Sequence, residues 1–152
     1  MIDRRITSKR LKNLRALDQL IALNEDRLDH EYLLSEDSLK TWATQARRFL
    51  PPAEIEKALQ TAANTRKTIM GQITRDKQER DFLLTWIDSI TKEDVRNSLI
   101  LHYVKGYSYD VIADRYFGGT IQGEAVRTMC GRCIRGEHQG IQGKSQKKKD
   151  GG

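Results

Sequence analysis

The chain has 152 residues, of which 27 are basic and 21 acidic, for a net charge of +6. That length holds one or two small domains with a real core, and two cysteines exclude a disulfide framework. The N-terminal stretch is basic without an apolar stretch behind it, and no run of about 18 apolar residues exists, so neither a secretory signal nor a membrane span is expected. A soluble cytoplasmic protein is the expectation. The positive balance suits an anionic partner without proving one. Residues 91–152 contain 11 basic and 7 acidic side chains, against 16 and 14 in residues 1–90.

In chain order, residues 8–34 read as a helix. Leu14, Leu17, Ile21 and Leu28 recur at steps of three and four, and Leu11, Leu20 and Leu23 broaden the stripe. Ser35 to Asp37 reads as a break and a cap. A short helix through Leu39, Trp42, Ala46 and Phe49 is expected to stop at Pro51-Pro52, which pre-sets the next start. From Ala53 to Ile90 there is no proline. Alternating steps of four and three pick out Ile55, Leu59, Ala62, Arg66, Ile69, Ile73, Asp76, Arg80, Leu83, Ile87 and Ile90. That seam predicts one long helix or two nearly continuous ones, with a solvated middle or a break near residues 71–78. Its partner is either an intramolecular helix, giving a hairpin, or a second copy, giving a dimerisation coil. Trp42 and Trp86 read as core anchors.

The richest chemistry lies between Val95 and Arg135. Thr91 before Lys92-Glu93-Asp94 resembles a capping box. Val95, Leu99 and Tyr103 follow at i, i+4 spacing and mark one buried face. Gly106 is a helix stop that tolerates positive φ. Ser108 is placed to cap a short helix from Tyr109 to Phe117, with Ile112, Ala113 and Tyr116 on one side. Gly118-Gly119 ends it. A last helix starts near Gln122 or Gly123 and turns Val126, Met129, Cys130 and Ile134 inward. Its outward residues are Glu124, Ala125, Arg127, Thr128, Gly131, Arg132 and Arg135. Three helices with this punctuation are the sequence form of a helix-turn-helix, whose last helix enters the DNA major groove. The outward residue types fit: Arg can donate twice to guanine, Glu can accept from cytosine, and a Thr methyl can touch thymine. Arg132 and Arg135 suit phosphates, Tyr107 or Tyr109 is expected to touch one, and Ser108 and Tyr109 at the preceding helix start belong to the expected DNA-binding set.

The segment resembles region 4 of bacterial sigma-70-type factors, and the short sigma-like late-gene regulators of phages and prophages. Gly123 to Ile134, GEAVRTMCGRCI, is similar to that family's recognition helix, and Gly106-Tyr107-Ser108-Tyr109 with Ile112-Ala113 is similar to its glycine-aromatic pattern. The resemblance implies that Glu124, Arg127 and Thr128 contact promoter bases, and that RNA polymerase is a second partner. The turn between Phe117 and Gly123 is a few residues longer than the family's, Gly123 stands where the family often has Arg, and nothing upstream is like the region that melts promoters.

These readings predict an all-α chain: a helical hairpin or coiled-coil scaffold over residues 1–90, a helix-turn-helix domain over 91–136, and a disordered basic tail over 137–152. The expected function is sequence-specific transcription regulation on double-stranded DNA, with a homodimer as one arrangement. Two other readings stand beside it. One is a DNA-binding packaging or replication protein like a small terminase subunit, and the other is a helical adaptor that binds no DNA. Cys130 and Cys133 form a CxxC without a second ligand pair, so no metal is expected. No Walker loop, GxGxxG, GxSxG or HExxH is found, so neither an enzyme nor a cofactor is expected.

Overall fold

A computed structural model describes residues 4–137. Among them are seven α-helices and no strand. They are α1 (Ser8–Lys12), α2 (Leu14–His30), α3 (Glu36–Ala46), α4 (Pro52–Asp88), α5 (Glu93–Leu99), α6 (Tyr109–Arg115) and α7 (Gly123–Ile134). A π-helical turn, Ile100–Val104, prolongs α5. No described helix is long and apolar enough to cross a membrane. The expected tail from residue 138 onward lies outside the described residues.

The chain divides into two compact units, residues 17–78 and residues 4–16 together with 79–137. This differs from a boundary at residue 90. The last turns of α4 bury Leu83 and Ile87 fully, and Ile90 just beyond follows them, in the same unit as Leu11, Leu14, Val95 and Leu99. Arg10 ties the N-terminal segment to that end of α4. Its guanidinium donates to both carboxylate oxygens of Glu79, at 2.6 and 2.8 Å, and lies 5.2 Å from the Phe82 ring centre. No short-range pattern announces a contact across 69 residues.

In the 17–78 unit, Ile21 and Leu34 pack with Ile69 and Ile73 of α4, and Leu28 joins them. Ala43 and Ala46 of α3 pack with Ile55, flanked by Trp42 and Leu59. The apolar seam of α4 is thus covered within the chain over this stretch. The seam residues follow the predicted steps, and α4 runs 37 residues without a break. Asp76 is not in a solvated middle: it is 6% exposed, and its Oδ1 accepts from Gln72 at 2.8 Å. Arg66 is another charge in the seam with a partner. Its Nη1 donates to the carbonyl of Leu28, in the last turn of α2, at 3.1 Å and to that of Leu34 in the turn before α3. Leu33 between them adopts φ +64°, unusual for a branched residue. Its N–H donates to Ser38 Oγ at 2.9 Å, which helps hold the turn.

Other expectations change in detail. The first helix breaks at Asn13. Leu20 and Leu23 are exposed at 45% and 56%, and Phe49 at 82%, since the stripe facing α4 is narrower than their hydrophobicity suggested. Ser35 caps α3 by accepting from Ser38 N–H at 3.2 Å. The N-cap of α5 is Lys92, which makes no side-chain cap, one residue beyond the expected Thr91. Replacing Arg66 with Ala leaves two carbonyls without their donor and should cost about 1–2 kcal/mol. The check is a lower urea midpoint at unchanged slope; an unchanged midpoint would show the cap to be idle.

Candidate nucleic-acid interface

The α5–π–α6–α7 segment is built on one buried stripe per helix. Val95, Leu99 and Tyr103 face inward from the first, as their spacing predicts. Ile112 and Ala113 do so from α6, and Val126, Cys130 and Cys133 from α7. α7 packs on both α6 and α5. Met129 and Ile134, expected inward, are half-buried, while Cys133 is fully buried.

The turns are set by named contacts. In the π turn, Lys105 N–H reaches back to the Ile100 carbonyl at 2.9 Å. There His102 stacks on Tyr109, with ring centres 3.8 Å apart, and its Nδ1 donates to the Tyr107 carbonyl at 2.7 Å. Gly106 sits at φ +85°, and a side chain there would collide with the Arg15 guanidinium, 2.2 Å from the Cβ position. Ser108 caps α6 as expected, accepting from Val111 N–H at 3.2 Å. α6 ends at Arg115, two residues earlier than predicted, and Tyr116 ties that end to α5: its hydroxyl accepts from Asn97 and donates to Asp94, both at 3.1 Å. Gly118 and Gly119 follow at φ +63° and +77°.

Gly123 opens α7 and is buried against the start of α6. A Cβ would lie 2.0 Å from Asp110 Oδ1 and 3.0 Å from Asp110 Cα. The position is therefore a close-packing site. An arginine there, as the sequence resemblance would have it, could not enter without moving α6.

The opposite face of α7 is open. Glu124, Ala125, Arg127, Thr128, Arg132 and Arg135 are exposed, and Gly131 is half-exposed. Gln122 precedes them as an exposed N-cap that makes no side-chain cap. Arg127 donates through Nη2 to both oxygens of Glu124, and through Nε at 3.2 Å. Thr128 donates its hydroxyl to the Glu124 carbonyl at 2.9 Å. That bond occupies the hydroxyl. Arg135 pairs with Glu137 at 2.7 Å, and Arg132 makes no ion pair among the described residues. Tyr109 is less available than its expected role requires: it is half-buried between His102 and the Tyr103 hydroxyl, 3.4 Å away, and burial pushes its own hydroxyl pKa up. Ser108 is exposed but spends its oxygen on the cap.

Cys130 and Cys133 are fully buried, and burial pushes their thiols from 9.0 to about 12 and about 11. They act as small apolar residues. Among the described residues, no group of three or more His, Cys, Asp or Glu could hold a metal ion.

The chain matches no protein-family model, no curated protein and no solved structure.

The scaffold reading of residues 1–90 overlooked the N-terminal segment. Arg4, Arg5, Lys9, Arg10, Lys12 and Arg15 are all the charged side chains between residues 4 and 16. Residues 5–8 share a groove with Gly131, Ile134 and Arg135 of α7. The signal available in the sequence was the absence of any acid in that basic run.

Two outcomes follow from this geometry. Gly123→Ala should destabilise the protein by about 1–3 kcal/mol, as overpacking does. Asp110→Ala should recover part of the loss, and additive costs in the double variant would refute the close approach. The thiols have a folded pKa above the unfolded value, so their stabilisation is complete below about pH 9 and is lost as pH rises toward about 12. The urea midpoint should therefore fall between about pH 8 and about pH 11. At the lower pH thiol reagents should label neither cysteine before unfolding, and labelling of the native state would contradict their burial.

Proposed function

We propose that the protein is a sequence-specific DNA-binding regulator of transcription that reads the major groove with the exposed face of α7. The observation carrying this reading is the division of α7 into two stripes. Gly123, Val126, Cys130 and Cys133 are buried, and Glu124, Arg127, Thr128 and Arg132 face out with the donors, acceptor and methyl that distinguish base pairs. Two short helices and a glycine turn precede that helix, the arrangement by which a helix-turn-helix inserts its second helix. The likeness of Gly123–Ile134 to the sigma region 4 recognition helix adds promoter DNA as the target and RNA polymerase as a second partner.

The Glu124–Arg127 pair bears on how the face would read. The pair is solvent-exposed, so opening it costs little. In the free protein it holds the guanidinium over the first turns of α7, where a recognition helix meets base edges. On DNA, Arg127 would exchange the carboxylate for guanine O6 and N7, leaving Glu124 to accept from a neighbouring cytosine. A packaging or replication role would use the same face, and lack of promoter preference would favour it.

Arg127→Ala should lose about ten- to a hundredfold in affinity at the preferred site and relax base choice there. Binding to random duplex should change much less. Equal losses on both, measured by fluorescence anisotropy at one fixed salt concentration, would sink the base-reading role.

A further inference from the structure

We infer that the shallow hollow on α7 between Ala125, Thr128 and Met129 is a subsite for the methyl group of a thymine in the major groove. The inference rests on the DNA-binding reading of α7 and adds to it a position that demands thymine. The hollow is lined by Glu124, Ala125, Thr128, Met129 and Arg132, and its wall is mainly apolar. Ala125, Thr128, Met129 and Arg132 stand three or four residues apart in turn, so they are neighbours on one side of the helix. Arg127 comes two residues after Ala125, on the opposite flank of the outward face. That face therefore has two flanks, with Thr128 between them. One carries the Arg127 guanidinium drawn onto Glu124, and the other carries the hollow.

The fold does not use this hollow. The buried stripe of α7 runs through Val126, Cys130 and Cys133, and it leaves Ala125 and Thr128 exposed and Met129 half-buried. Thr128 spends its hydroxyl on the Glu124 carbonyl, so the group it can offer a ligand is its methyl. A methionine thioether is flexible and polarizable, and it adapts to the shape of what it meets. Arg132 borders the hollow, and such a side chain lays its aliphatic stem along apolar surface while its charge stays in solvent. The chemistry of the groove selects the occupant. Base edges there are donors and acceptors, and the thymine methyl is the apolar group among them. A donor or acceptor set against this wall would give up hydrogen bonds to water, which is costly. A methyl set there removes apolar surface from water on both sides. Cytosine offers no such group, so the subsite separates two pyrimidines that Arg127 cannot tell apart by donating to guanine.

The test uses duplexes that carry the selected site, with each thymine replaced in turn by deoxyuridine. That replacement removes the methyl and keeps every hydrogen-bonding group. Binding of the full chain is read by fluorescence anisotropy at one fixed salt concentration. At one thymine the replacement should weaken binding about fourfold, the worth of one buried methyl group. Thr128→Ser keeps the hydroxyl and drops the methyl, and Met129→Ala empties the other wall. Each should bring that penalty below about twofold. Arg127→Ala, on the other flank, should weaken binding yet leave the penalty in place. Urea midpoints check that the variants fold, and Thr128→Ser, which removes one exposed methyl, keeps the test decisive if Met129→Ala does not. A selected site without thymine would overturn the inference. So would a site in which no deoxyuridine weakens binding, or a penalty that Thr128→Ser and a folded Met129→Ala leave unchanged. If Arg127→Ala still relaxes base choice in that case, the reading of α7 survives without this subsite. If the unaltered protein prefers no duplex sequence, both fall.

Discussion

The burial of Gly123, Val126, Cys130 and Cys133 determines which residues α7 can present. These positions recur at steps of three, four and three, the period of a helix side; all are buried, and Val126, Cys130 and Cys133 have no exposure at all. Any rotation of α7 that exposed a thiol would also bury Arg127 or Arg132, whose charges cannot be desolvated cheaply. Gly123 adds a close approach to α6, with Asp110 Oδ1 2.0 Å and Asp110 Cα 3.0 Å from where a Cβ would stand. Rotation and height of α7 are thus fixed by one packing stripe, and the outward residues inherit their placement from it. The π turn, Gly106 and the stacked pair of His102 and Tyr109 set the path of α6, on which that packing depends.

The 17–78 unit solves a different problem. A helix of 37 residues must bury an apolar seam while carrying a charge every few turns. Arg66 becomes useful there because the end of α2 and the turn after it each offer a carbonyl to its guanidinium. Asp76 is the harder case. It is buried with one oxygen bonded to Gln72, and Oδ2 has no partner among the described residues. Buried polar atoms of this kind are uncommon in folded proteins.

Periodicity made much of the helical pattern legible. The Val95, Leu99 and Tyr103 stripe, the α4 seam from Ile55 to Ile90 and the stop at Gly106 follow from local spacing and local backbone demands. What escaped depends on contacts between residues far apart. Gly123 looked like a lost arginine contact because its role is visible only when Asp110 is placed beside it. Asp76 looked like part of an interruption because its partner, Gln72, is visible only once the helix is continuous. The N-terminal segment looked like scaffold because its bond from Arg10 to Glu79 spans 69 residues. For the outward face of α7 the residue types were readable, but the sequence could not show that Tyr109 is held between His102 and Tyr103.

The central claim is that α7 reads bases, and selection of bound sequences from a random duplex pool tests it most directly. Purified full-length protein and its Arg127→Ala variant would be run in parallel. The account predicts a defined motif for the unaltered protein, with guanine preference at one position weakened in the variant. Recovery of sequence-blind binding alone, or an identical motif from both proteins, would contradict it.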